Sequence, residues 1–201
     1  MVRDSHYRAK LAHRARGLRD ADLRVGGVED AIDARIAQGH VVRVLELGCG
    51  YGTALLELRA RYGARVELHG LNRAYDDGNA EILARNAADR HLLDAATDGA
   101  RDLPSIVHGD IADGLPFADD YFDVVYSQVA WLYFGRKIDV LRETMRVLRS
   151  DGLAKIEADV VAFRRCGERH RVTVEVSRER HEHAVVPDLD EPCVFGRQSR
   201  P

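Results

Sequence analysis

Val41-Val42-Arg43-Val44-Leu45-Glu46-Leu47-Gly48-Cys49-Gly50-Tyr51-Gly52 reads as a strand that runs into three alternating glycines. Its first seven residues are mostly β-branched or aliphatic, which suits a pleated, buried surface. Glycine has no Cβ, so positions 48, 50 and 52 let the backbone turn sharply and approach a ligand more closely than a side chain permits. Thr53 to Tyr62 follows, with Leu55, Leu58 and Tyr62 on one helical face. Strand, glycine turn and helix in that order form a cradle for a nucleotide-like ligand.

Downstream, four more short runs rich in β-branched or aromatic residues start at Arg65, Ser105, Phe122 and Leu153. Helical periodicity recurs between them, with Ile138, Leu141, Met145 and Leu148 on one face of Arg136 to Arg149. This alternation predicts an α/β fold with a mainly parallel sheet covered by helices on both faces. Upstream, Val28, Ala31, Ile32 and Ile36 form a stripe that ends at Gly39, the mark of a helix packed on the sheet before the first strand. Residues 5–24 are arginine-rich and weakly amphipathic. They read as a solvated helix in preference to a lid over a site.

After Val161 the helix that a continuing pattern requires is replaced by Arg164-Arg165-Cys166-Gly167-Glu168-Arg169-His170. Arg171 to Ser177 alternates Val172, Val174 and Val176 with polar residues, and His183 to Val186 is placed to return beside it, so an antiparallel C-terminal strand or hairpin is expected. Three parts follow: a helical segment over 1–40, packing on or capping the core; a ligand-binding domain over 41–187; and a polar tail over 188–201.

The chain has 201 residues, enough for one well-buried core. No apolar run approaches the roughly 20 residues that span a bilayer, and the N-terminus has no apolar core of a secretory signal. A soluble protein of the cytoplasm is expected, with no membrane partner. The 30 basic and 33 acidic residues leave a net charge of −3, which supplies no global field for a polyanion, so nucleic acid is not expected as a partner. Binding through Arg14, Arg16 and Arg19 is the disfavoured exception. Cys49, Cys166 and Cys193 lack the paired spacings of a zinc or disulfide framework, and His181 with His183 does not complete a ligand set. No metal is expected.

The glycine loop has two competing ligands. A dinucleotide fingerprint needs a small residue at position 53 and an acidic residue about 20 positions on. Thr53 and Asn72 stand there instead. The chain resembles the class I S-adenosylmethionine-dependent methyltransferases, whose first motif has the form [D/E]-x-G-x-G-x-G, met here by Glu46, Gly48, Gly50 and Gly52. Val107-His108-Gly109-Asp110-Ile111, Leu115-Pro116-Phe117-Ala118-Asp119-Asp120-Tyr121-Phe122-Asp123-Val124-Val125 and Val147-Leu148-Arg149-Ser150-Asp151-Gly152 are similar to further segments of that family, in the same order. The resemblance covers about residues 41–160 and implies a Rossmann-like, doubly wound sheet.

It also implies S-adenosylmethionine as cofactor and a site made of Glu46, Gly48, Cys49, Gly50, Gly52, Asn72, Asp110, Ile111 and Ser127. Glu46 is expected at the methionyl amino group, where a charge-assisted hydrogen bond is strong. Asp110 and the Ile111 amide are expected at adenine, although a turn or cap role explains Asp110 equally well. Asn72 stands where the family has an acid for the ribose hydroxyls, and an amide accepts at only one end. Gly152 is expected to take the positive φ of the turn into the fifth strand.

Methyl transfer is an in-line displacement that needs alignment and, for some acceptors, removal of a proton. Gln128, Trp131, Tyr133 and His108 are the candidates for such roles, and packing is the competing explanation for each. The resemblance implies transfer to a small-molecule acceptor, at an O, N or C atom. The alternative is a cofactor-binding subunit of reduced activity that supports a partner protein. A second copy of the chain, as a homodimer, is one way to complete the short C-terminal end.

Overall fold

The computed structural model describes residues 4–19, 27–92, 103–160 and 170–177. The return strand at 183–186, the tail, His181, Cys166 and Cys193 lie outside them. In chain order come α1 (Asp4–Arg14), α2 (Val28–Ile36), β1 (Val42–Leu47), α3 (Thr53–Tyr62), β2 (Val66–Asn72), α4 (Ala80–Arg90), β3 (Ser105–His108), β4 (Phe122–Ser127), α5 (Lys137–Val147) and β5 (Leu148–Val160). Extended backbone over His170–Ser177 follows.

Five parallel strands stand in the order β3-β2-β1-β4-β5. Alternate residues of a strand face opposite sides, and the core divides accordingly. Val42, Val44, Leu68, Val124 and Tyr126 pack with Val28 and Ile32 of α2 and with Leu55, Leu58 and Tyr62 of α3. Leu45, Leu47, Leu71 and Val125 pack on the other face with Ile111, Trp131, Val140 and Val147. Because β1 is covered on both faces, its run is apolar almost throughout, as central parallel strands require.

Strand order reverses between β1 and its two neighbours β2 and β4, and parallel α/β sheets open a crevice at that point, outside the carboxyl ends of the strands. Glu46, Asn72 and Ser127 sit at those ends. Glu46 pairs in register with Gly70 of β2 and with Tyr126 of β4.

Several expectations need correction. The deepest stripe of α5 is Val140, Thr144 and Val147; Leu141 and Met145 flank it, partly buried, and Leu148 already belongs to β5. Helix and strand join without a loop, and Gly152 does not adopt positive φ. Register shifts between β4 and β5 absorb the turn. A Cβ on Gly152 would stand 2.7 Å from the Leu148 side chain, so glycine is needed there for space. Helix α4 adds an element to the sequence reading. Asn79 caps it by accepting from Ile82 N at 3.0 Å, and Ile82, Leu83, Asn86 and Ala87 face inward, at i, i+1, i+4 and i+5.

The segment before the sheet is not a solvated helix. Tyr7 is 1% exposed, and its ring stacks on Tyr51 of the glycine loop at 5.3 Å. The Leu115-Pro116-Phe117 motif is structural: Arg146 of α5 donates to the carbonyls of Leu115 (2.9 Å) and Phe117 (2.8 Å) and pairs with Asp119 (2.7 Å). Among the described residues, no helix is long and apolar enough to cross a membrane.

Candidate functional site

The glycine loop leaves β1 with φ of +75°, +55° and +69° at Gly48, Gly50 and Gly52. Gly48 N and Cys49 N both donate to the Leu71 carbonyl, at 2.8 and 3.1 Å. A Cβ at Gly48 would lie 2.2 Å from the Ala130 side chain, so the backbones after β1 and β4 meet at a separation only glycine permits. Asn72, 3% exposed at the end of β2, locks the loop. Its Oδ1 accepts from Gly50 N (2.8 Å), and its Nδ2 donates to the carbonyls of Gly50 (2.8 Å) and Gly78 (3.0 Å). Both amide hydrogens are therefore used within the protein, and Oδ1 keeps one lone pair for a ligand.

Below the loop, Glu46 is 3% exposed. Its Oε1 accepts from Gln128 Nε2 at 3.0 Å, while its Oε2 and the Gln128 Oε1 are buried with no hydrogen-bond partner. Burial pushes the Glu46 carboxyl up to about 8, opposed by the Tyr126 and Gln128 side chains beside it. Burial and the nearby carboxylate in turn raise the Tyr126 phenol well above its ordinary value. Two buried acceptors without a hydrogen-bond partner could take a cationic donor, since unmet buried polar groups cost about 1–3 kcal/mol each. Gln128 is aimed by a tight turn: Val129 takes φ 57° and ψ −36°, and Ala130 N donates to the Gln128 carbonyl. Positive φ at a β-branched residue is a strained conformation of the kind that clusters at functional sites.

A cavity of about 400 Å³ opens over these groups. Of the residues expected at a site, it brings together Glu46, Gly48, Cys49, Gly50, Asn72, Gln128 and Tyr133. Gly52, Asp110, Ile111, Ser127, Trp131 and His108 do not line it. A Cβ on Gly52 would meet Leu83 at 2.4 Å, so that glycine serves helix packing. Ser127 Oγ donates to the Leu47 carbonyl (3.0 Å), and Asp110 Oδ1 accepts from Ala112 N (3.0 Å) to cap a short turn. Trp131 is 6% exposed in the core, and the His108 ring is engaged with the Gly78 carbonyl at 2.8 Å. Cys49 is buried, which pushes its thiol up. Among the described residues, no cluster able to hold a metal ion occurs.

Arg14, Arg16, Arg73 and Asp77 also line the cavity. Arg14 pairs with Asp77 at 2.6 Å, and its carbonyl accepts from Tyr51 N at 2.7 Å. No local signal marks residues 14 and 16 as site residues, because their position depends on α1 folding back over the loop.

Comparison with known proteins gives a consistent family. A family model for a methyltransferase domain matches residues 45–156. The glycine/sarcosine/dimethylglycine N-methyltransferase of Actinopolyspora halophila is 34% identical over 110 residues, which are 55% of this chain and 17% of that protein. The sarcosine/dimethylglycine N-methyltransferase of Halorhodospira halochloris is 30% identical over 54% of this chain and 34% of its own length. The malonyl-[acyl-carrier protein] O-methyltransferase of Enterobacter lignolyticus is 29% identical over 62% of this chain and 41% of its own. The chain thus spans less than half the length of each.

Proposed function

This chain belongs to the methyltransferase-domain family, and on that premise we propose that it binds S-adenosylmethionine in the cavity at the carboxyl ends of β1, β2 and β4 and transfers its methyl group to a small-molecule acceptor. The observation that carries the proposal is the pair of unpartnered buried acceptors, Glu46 Oε2 and Gln128 Oε1, in the lining of the cavity beside the glycine loop. An ammonium group has three donors and a full charge, so it meets both oxygens and draws the Glu46 carboxyl into its ionised form. When bound, the cofactor supplies an electrophilic methyl group on a sulfonium.

The roles of this chain's residues follow from their places. Gly48 and Gly50 line the cavity and are assigned to the methionyl end. Asn72 serves mainly by holding the loop, and its free lone pair accepts one ribose hydroxyl. Asp110 and the Ile111 amide lie outside the cavity lining and are assigned to the adenine end on the family resemblance alone. Val129, Tyr133 and Phe134 wall the cavity beyond β4 and are assigned to acceptor alignment. Asp77 pairs with Arg14 and Glu46 is assigned to the ammonium group, so among the described cavity-lining residues no carboxylate is left over as a base for the acceptor. That favours acceptors that need alignment more than proton removal. The relatives named for methylation of glycine, sarcosine and dimethylglycine make small amines the first acceptors to try.

The domain as proposed is the 41–187 unit, capped by residues 1–40. Its sheet ends in the antiparallel strand His170–Ser177, a reading supported by the run of that backbone beside Leu153–Val160.

The test is calorimetry with S-adenosylhomocysteine, followed by transfer of labelled methyl to a panel of small amines and carboxylic acids. Binding with transfer supports the reading. Binding with no transfer to any acceptor supports a cofactor-holding subunit instead. No binding at millimolar ligand overturns both.

A further inference from the structure

Behind the cavity wall, β4 sets a buried phenol beside Glu46. Glu46 of β1 stands in register with Gly70 of β2 on one side and with Tyr126 of β4 on the other. Register partners in neighbouring strands turn their side chains to the same face. Gly70 has no side chain, so the neighbour of Glu46 across the strands is the Tyr126 ring. Tyr126 is fully buried and does not line the cavity, whereas Glu46 and Gln128 do.

Three polar atoms of this patch are buried without a hydrogen-bond partner: Glu46 Oε2, Gln128 Oε1 and Tyr126 Oη. With Glu46 ionised, the first two only accept, and the phenol carries a proton to give. Phenylalanine would fill the same space without the cost of an orphaned buried hydroxyl. The other groups around Glu46 act differently. Helix α2 brings Val28 and Ile32 to this cluster, and α3 brings Leu55 and Leu58. Glu57 of α3 is a like charge that opposes ionisation of Glu46, and burial keeps the nearby Cys49 thiol neutral. From the cavity side come Arg16, Arg73 and Arg14 with its partner Asp77.

We propose that Tyr126 is a positioning residue for the cation site: its hydroxyl donates to Glu46 Oε2 when the carboxyl ionises, so that phenol, carboxylate and the Gln128 amide hold one buried negative charge ready for an ammonium group. The inference rests on the reading of Glu46 as the receptor of that group. The proton of Glu46 leaves for solvent, and burial with the adjoining carboxylate keeps the phenol protonated. A carboxylate oxygen accepts more than one hydrogen bond, so the phenol does not compete with the ligand.

The experiment compares the full chain as wild type, Tyr126→Phe and Tyr62→Phe. Tyr62 is a second buried phenol of the same core cluster, on α3 and outside the cavity lining, so it reports what loss of a buried hydroxyl does to packing alone. Without ligand, NMR follows the titration of the Glu46 side-chain carboxyl, assigned with Glu46→Gln. Tyr126→Phe raises the midpoint by about one pH unit, as expected when a charged group loses one hydrogen bond, and Tyr62→Phe leaves it in place. Calorimetry then gives the affinity for S-adenosylhomocysteine against pH. Because the ligand needs ionised Glu46, Tyr126→Phe weakens binding by about tenfold at pH 7 and by only about twofold at pH 9, where the carboxyl is ionised in a large share of both proteins.

A distorted site would instead weaken binding by the same factor at both pH values. That result, or an unmoved midpoint, overturns the inference and leaves the cofactor reading in place. If the wild type binds no S-adenosylhomocysteine at any pH, the cofactor reading falls and the inference with it, whatever the midpoint does.

Discussion

The two loops that meet over the cavity are built in opposite ways. The loop after β1 is held at Gly48, Cys49, Gly50 and Tyr51 by hydrogen bonds to the Leu71 and Arg14 carbonyls and with the Asn72 and Asn86 side chains. The segment after β4 turns through a strained Val129, buries Trp131, and leaves Tyr133 75% and Leu132 40% exposed. On the proposed reading the braced loop serves the cofactor, whereas the segment after β4, proposed to face the acceptor, can vary in its exposed side chains at little cost to the fold. Affinity for the cofactor and choice of acceptor should therefore respond to different substitutions.

The most damaging change joins the two loops. Gly48→Ala forces a left-handed conformation on a residue with a Cβ, at about 1–2 kcal/mol, and drives that Cβ into Ala130. Loss of S-adenosylhomocysteine binding by at least tenfold is expected in calorimetry. Adding Ala130→Gly in the same chain should restore part of it, and no rescue would show that the two loops are not in contact.

Asn72→Asp separates the two accounts of the β2 terminus. An acid there suits a ribose diol, but a carboxylate at this position faces the carbonyls of Gly50 and Gly78 and loses both donated hydrogen bonds. Thermal unfolding should show a loss of roughly 2–4 kcal/mol, and cofactor binding should weaken. Tighter binding by the variant would mean that ribose contact, not loop bracing, dominates.

The rigid half also carries a pH signature. Glu46 is raised from its ordinary 4.5 to about 8, so between those values the folded chain holds a proton that the unfolded chain has released. Stability due to this group is fully present below about pH 4.5 and declines as pH rises to about 8, with a slope of at most about 1.4 kcal/mol per pH unit. Glu46→Gln should flatten that slope in unfolding curves taken from pH 5 to 8. If an ammonium group binds beside Glu46, ligand binding at pH 7 should release a proton, read as a dependence of calorimetric heat on buffer ionisation enthalpy.

The smallest effect on stability belongs to the other loop. Tyr133→Ala should shift unfolding by less than about 0.5 kcal/mol, because the side chain is mostly in solvent, and should change S-adenosylhomocysteine affinity less than twofold. A raised KM for the acceptor is expected in transfer assays. If cofactor affinity falls instead, the division between the two loops fails.

The sequence made the parallel strands and the glycine cradle legible because both follow from local rules. A central parallel strand must be apolar on two faces, and a loop with three positive-φ residues asks for glycine. Helix α4 escaped notice although Asn79 announces its start, since its inward stripe is short and includes the polar Asn86. Gly152 was legible as a constraint but not as the right one: tertiary crowding by Leu148, not a turn angle, demands it.

By itself, then, the sequence determined the fold class and the presence of Glu46 and the glycines at the end of β1. Periodicity and backbone conformational preference act over a few residues and are written where they act. Only the tertiary structure decided that Asn72 braces the loop, that Gln128 shares a buried site with Glu46 across 82 positions, and that Arg14 and Arg16 reach the cavity. Those facts depend on which strand ends stand side by side and on where a helix folds back, and no single stretch of residues encodes either.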